Sequence, residues 1–132
     1  KDFPLETVAN LMLTSEQSSD VTPLEYVGID SLTTTSYAHR MDKTRNLDLK
    51  KDKVVASGLE FLPLYTWYDK THLAQVQVYQ RLFRDETIGP LLKQGAFIED
   101  VFFNAKLDSF PMYRTYFLSQ GVGPVVYHIS GR

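Results

Sequence analysis

The stretch from Ala74 to Phe83 reads Ala-Gln-Val-Gln-Val-Tyr-Gln-Arg-Leu-Phe, and it carries the strongest pattern in the chain. In an extended conformation, Val76 and Val78 project to one side, while Gln75 and Gln77 project to the other. Successive side chains of a strand point to opposite faces, so this alternation predicts a half-buried β-strand over residues 72–83.

Similar extended segments, separated by turn signals, recur outward from this stretch. Residues 4–14 instead place apolar side chains at helical spacing, and Pro90 and Gly95 can open and close a short inserted helix. The Gly121-Val-Gly-Pro124 sequence supplies a turn, and residues 97–106 remain open between strand and helix. The further predicted strands are residues 31–41, 46–50, 53–57, 59–68, 112–119 and 124–130.

This order of elements is typical of a mainly β protein. We predict an antiparallel β-barrel with an N-terminal helix and a short inserted helix. Three aromatic residues lie within the first 60 positions and 14 lie beyond them. Large rings that fill a barrel interior would explain this distribution, and so would a pocket for an apolar ligand; packing alone is the commoner reason.

Composition limits the classes of function. The 132 residues suit one domain, and the formal net charge of -2 gives no sign of nucleic-acid binding. The absence of cysteine excludes disulfides and thiol chemistry, and no apolar run is long enough to span a bilayer. Because the chain begins at Lys1 rather than Met, we expect a single domain, residues 1–132, excised from a longer protein whose targeting or anchoring element has been removed.

Reactive side chains do not assemble into a catalytic set. Gly28-Ile-Asp-Ser-Leu32 resembles the serine attachment site of acyl carrier proteins, but the following Thr-rich run has weak helix propensity. The three histidines have no metal-ligand spacing, and the neighbouring carboxylates Asp85/Glu86 and Glu99/Asp100 would diverge on a strand. We therefore predict no catalytic residues, no metal, no cofactor and no enzymatic activity.

Five short segments of the chain resemble those of a known family: Leu47-Asp-Leu49, Val54-Val-Ala-Ser57, Glu60-Phe61, Leu11-Met-Leu-Thr-Ser15 and the closing residues 125–132. The resemblance is to segments of the periplasmic domain of the ToxS family, the membrane-anchored partners of ToxR-type transmembrane transcription regulators. It is closest to the bile-salt-sensing members of the family. It implies a lipocalin-like barrel in the periplasm, anchored to the inner membrane and completed by the periplasmic domain of the regulator.

Together these inferences predict a sensor subunit that forms a heterodimer with a regulator in virulence control and binds a bile salt or similar amphipathic molecule in the barrel. The alternatives are a free-standing lipid or small-molecule carrier and a small cone-shaped α+β enzyme. Aromatic rings would hold the ligand body, and a cationic side chain would hold its polar end. The predicted ligand-binding residues are Tyr37, His39, Phe61, Arg114, Tyr116 and Tyr127.

Overall fold

The computed structural model describes residues 3–15, 24–29, 36–68 and 71–119. These residues form five α-helices and one open five-stranded mixed sheet. The helices are α1 (Leu5–Ser15), α2 (Tyr37–Arg45), α3 (Val76–Arg84), α4 (Ile88–Lys93) and α5 (Ile98–Asn104). The strands are β1 (Tyr26–Gly28), β2 (Val54–Ala56), β3 (Leu59–Pro63), β4 (His72–Ala74) and β5 (Thr115–Leu118).

The strands lie in the order β2-β3-β5-β1-β4. Strand β1 runs parallel to β5, and the other three neighbouring pairs are antiparallel. Ser57 and Gly58 join β2 to β3 with φ angles of 50° and 72°. Positive φ at both central residues is what a two-residue hairpin of type I′ requires, and it matches the twist of the strands. In the strand order given above, β2 and β4 occupy the two outer positions of the described sheet.

Helices cover both faces of the sheet. Helix α1 packs on one face through Val8 and Met12, in a cluster that includes Phe61 and Tyr116. The opposite face carries a larger cluster, to which helices α2 to α5 contribute, with Trp67 fully buried inside it. All four residues of β5 are buried because this central strand has a covered surface on each side.

The predicted lipocalin-like antiparallel barrel is wrong, because the sheet is mixed, open and not closed on itself. The described sheet has five strands, each only 3 to 5 residues long. About eight tilted strands are needed to enclose even a small interior. Most of the described aromatic side chains of the second half pack between the sheet and the helices instead, whereas Phe83, Phe97 and Phe103 are exposed. Trp67 stacks on Phe102 of α5 at 5.8 Å between ring centroids.

The predicted strand over residues 72–83 is also wrong beyond its first residues. Only His72–Ala74 is a strand, and Val76–Arg84 is helix α3. Val78 and Leu82 are both fully buried, four residues apart on one helical face, whereas Val76 is 67% exposed. Val78 and Leu82 would fall on the same side of a strand, but because they are four residues apart they also share one face of a helix. The Gln, Arg and Leu residues of the stretch favour the helix.

Other predictions divide between confirmed and wrong. The N-terminal helix and the short inserted helix are confirmed, as are strands within residues 53–57, 59–68 and 112–119. The end of the predicted strand 31–41 is helix α2, residues 46–50 lead into a 3-10 turn at Leu49–Asp52, and residues 97–106 contain α5. The predicted turn at 121–124 and strand at 124–130 lie outside the described residues.

Candidate functional site

The aromatic residues predicted to hold a ligand do not share one cavity. Tyr37 is buried in the larger cluster beneath helices α2 to α5, where its ring meets the Phe117 ring edge-on at 5.4 Å between centroids. Phe61 and Tyr116 are buried in the cluster beneath α1, on the opposite face of the sheet. The sheet therefore separates Tyr37 from the other two rings.

The predicted polar anchors are separated as well. His39 is an exposed residue of helix α2 rather than a strand residue beside Tyr37. Arg114 immediately precedes β5 and interacts with Tyr116, where it partly opposes the rise in the pKa of that phenol caused by burial. Tyr127 lies outside the described residues.

A groove of about 410 Å³ lies where α1 faces the outer strand β4 and the first turn of α3. This volume falls in the range of small-molecule sites, and most of the lining is apolar. The lining residues among those described are Ala9, Met12 and Leu13 of α1, Leu73 and Ala74 of β4, and Gln75, Val76 and Gln77 at the start of α3.

Each wall of the groove is anchored to the core. Val8 and Met12 bury one face of α1 against the sheet, which leaves Leu13 64% exposed at the groove. The opposite wall is fixed to the residue that precedes β1, because the Gln75 backbone N–H donates to the Glu25 carbonyl at 2.8 Å. The Gln75 side-chain amide then donates to the Met12 carbonyl at 2.8 Å and joins the two walls directly.

None of the described residues that line the groove carries a charged side chain. Arg81 is a cation on the same helix, α3, and both of its terminal nitrogens donate to the carboxylate of Glu25, at 2.7 and 2.5 Å. This bidentate pair raises the pKa of Arg81. It joins α3 to the residue preceding β1 and so stabilises the wall rather than supplying a cation to the groove.

A cluster of aromatic and polar side chains lies on the face of the sheet that helices α2 to α5 cover. His72 stacks on Tyr26 at 4.3 Å between ring centroids and hydrogen-bonds to the hydroxyl of Tyr79. Trp67 packs edge-on against both His72 and Tyr79. Stacked aromatic neighbours of this kind favour a structural role for the histidine. No group of three possible metal-ligating side chains occurs among the described residues.

The carboxylates noted in the sequence have local roles at helix starts. One oxygen of Asp85 accepts from the backbone N–H groups of Thr87 and Ile88, both at 2.8 Å, and these bonds lower the pKa of Asp85. Glu99 and Asp100 occupy the first turn of α5, where negative charge complements the helix dipole. Ser31 of the carrier-like sequence lies outside the described residues.

Sequence reasoning missed the groove because its walls come from segments about 60 residues apart that meet only in the folded chain. The apolar spacing of α1 marked the helix, but Ala9 and Leu13 carried no sign of a site. The strand prediction for residues 72–83 also concealed the break at Gln75, where β4 ends and α3 begins. A surplus of apolar residues around α1, beyond those needed for one buried face, was the available signal.

No family model matches this chain, and neither the curated proteins nor the solved structures give a match. No helix within the described ranges has the length and apolar character needed to cross a membrane.

Proposed function

We propose that this protein is a ligand-binding sensor subunit whose groove between α1 and β4 accepts an amphipathic small molecule of the bile-salt type. The groove itself carries the proposal, because it combines a volume of about 410 Å³ with two apolar walls held by the core. A site of this kind is the default binding hypothesis for a folded domain.

The expected affinity follows from apolar burial. A steroid-sized body and the groove walls would together remove about 400 Å² of apolar surface from water, which favours binding by about 10 kcal/mol. Association costs at least about 4 kcal/mol. At most about 6 kcal/mol then remains, which corresponds to a dissociation constant of tens of micromolar at the tightest.

We further propose that the subunit pairs with the periplasmic domain of a ToxR-type regulator. Support comes from the ToxS-like segments noted in the sequence, which suggest the VtrC type of subunit that partners VtrA-type regulators. In this proposal the chain functions in the periplasm and is held at the inner membrane by an anchor outside residues 1–132. The barrel geometry of that family forms no part of the proposal.

The outer strand β2 offers a place for such a partner. In β3, Glu60 directs its backbone to β5, since the Glu60 carbonyl accepts from the Ser119 N–H at 2.9 Å. Leu59 and Phe61 therefore direct theirs to Ala56 and Val54, their register partners in β2. The backbone groups of Val55 then point outward from the sheet, where a partner strand can pair with them.

Blocking the groove tests the ligand proposal. Deoxycholate, below its micelle concentration, should bind the purified chain saturably in calorimetry. Ala9→Trp places a large ring in the groove and should weaken binding at least tenfold. Ala105→Trp, at an exposed position after α5, is the matched control and should bind as the unmodified chain does. Unchanged binding in Ala9→Trp would exclude this site, and no saturable heat with the unmodified chain would refute the ligand proposal.

Co-purification tests the partner proposal. The regulator's periplasmic domain, co-expressed with this chain, should form a complex that elutes as a heterodimer. Val55→Pro removes the outward N–H at the edge of β2 and should weaken that complex while leaving deoxycholate binding intact. A stable monomer that carries a co-purified lipid and never binds the regulator would instead favour the free-standing carrier.

A further inference from the structure

We infer that the groove recognises the apolar body of its ligand and is almost indifferent to the charge of the ligand's head group. This inference rests on the proposed function and specifies the chemical class of ligand. The class comprises steroid-sized apolar bodies with either a neutral or an anionic polar end. A cation-anchored site, as expected from the sequence, would instead select anions strongly.

The lining of the groove is the first observation behind this inference. Its described residues are apolar apart from the amide side chains of Gln75 and Gln77. The Gln75 amide N–H is already engaged by the Met12 carbonyl at 2.8 Å. An amide hydrogen-bonds to a hydroxyl, an ester or a carboxylate, so the two side chains impose no requirement for charge.

The placement of the cations is the second observation. Arg81, on the helix that begins at the groove, is committed to Glu25 through two hydrogen bonds. Arg114 interacts with Tyr116, and His39 belongs to α2 on the other face of the sheet. None of the three lines the groove. The carboxylate of a ligand bound in the groove would therefore stay hydrated by water and would form no charge-assisted hydrogen bond with any of these three side chains.

The first turn of α3 limits how strict this indifference can be. Val76 and Gln77 occupy the first two helical positions, where backbone N–H groups lack partners within the helix. The dipole at an exposed helix start favours an anion by up to about fivefold. A hydrogen bond from a cationic side chain would contribute more than about tenfold. The two cases are therefore separable by affinity alone.

A charge-matched ligand pair tests the inference. Deoxycholate and its methyl ester share one steroid body and differ in the charge of the side-chain end. Calorimetry below the micelle concentration, at pH 8, should give dissociation constants within fivefold of each other. Raising NaCl from 50 to 500 mM should change the deoxycholate value less than twofold, since the described residues that line the groove supply no cation to pair with the carboxylate. Both ligands should weaken together in Ala9→Trp.

Each contrary result has a distinct meaning. A preference for deoxycholate above tenfold, or a marked loss of that preference in high salt, would overturn the inference while leaving the groove as the binding site. Retention of the ester in Ala9→Trp would also overturn it, because the neutral ligand would then bind elsewhere. Failure of both ligands to bind would refute the proposed function, and the inference with it.

Discussion

Val76→Ala and Val78→Ala form a pair of identical substitutions that tests the conformation of the stretch that dominated the sequence prediction. Both residues belong to α3, but Val78 is fully buried and Val76 is 67% exposed. In a strand the two valines would project to the same side and would lose similar stability on truncation. In the helix only Val78 supports the core.

The magnitude follows from this difference in burial. Removing the two buried methyl groups of Val78 costs about 1.6 kcal/mol in transfer free energy. The cavity left behind adds about 1 kcal/mol if some 40 Å³ stays unfilled. The gain in helix propensity from valine to alanine is about 0.5 kcal/mol and is nearly common to both variants. We expect Val78→Ala to lose about 2 kcal/mol and Val76→Ala to change by less than about 0.5 kcal/mol.

Urea denaturation followed by far-UV circular dichroism measures both changes. With a slope near 2 kcal/mol per M, the midpoint of Val78→Ala should fall by about 1 M, and that of Val76→Ala should stay within about 0.3 M of the unmodified chain. The slopes should agree, which shows that both variants unfold from the same compact state. Equal losses in the two variants would refute the helical assignment and the position of the groove wall that depends on it.

Two further predictions concern other parts of the fold. Gly89→Ala should destabilise the protein by about 1–3 kcal/mol, because a Cβ there would lie 2.5 Å from the Phe83 carbonyl oxygen, whereas Gly28→Ala, whose Cβ would meet its nearest atom at 3.6 Å, should cost much less in the same urea assay. Burial, with a smaller contribution from Asp85, raises the pKa of Tyr113 to about 12, so the neutral phenol is favoured in the folded state. The stability that the raised pKa of Tyr113 contributes is fully present below pH 10, the ordinary pKa of a tyrosine, and is lost as pH rises towards 12. Tyr113→Phe should therefore lose less stability than the unmodified chain over that interval, and parallel pH profiles in thermal melts would contradict this.

The sequence predicted those elements whose signals are local. The N-terminal helix has apolar residues at helical spacing over three turns, and it lies at Leu5–Ser15, close to its predicted bounds. Pro90 and Gly95 marked the short inserted helix, and Gly95 has the positive φ that such a helix end favours. These patterns act within one element, so they hold whatever packs against it.

Tertiary structure decided the remaining features. Val78 and Leu82 are four residues apart, a spacing that places them on one face of either a strand or a helix, and α3 forms because they bury that face against the sheet. The groove arises because α1 packs on the sheet beside β4, which brings Ala9 and Met12 to Leu73 and Gln75 across more than 60 positions. The sequence by itself determined which segments have an apolar face. The fold determined how those faces meet, because burial depends on contacts between distant segments that no local pattern records.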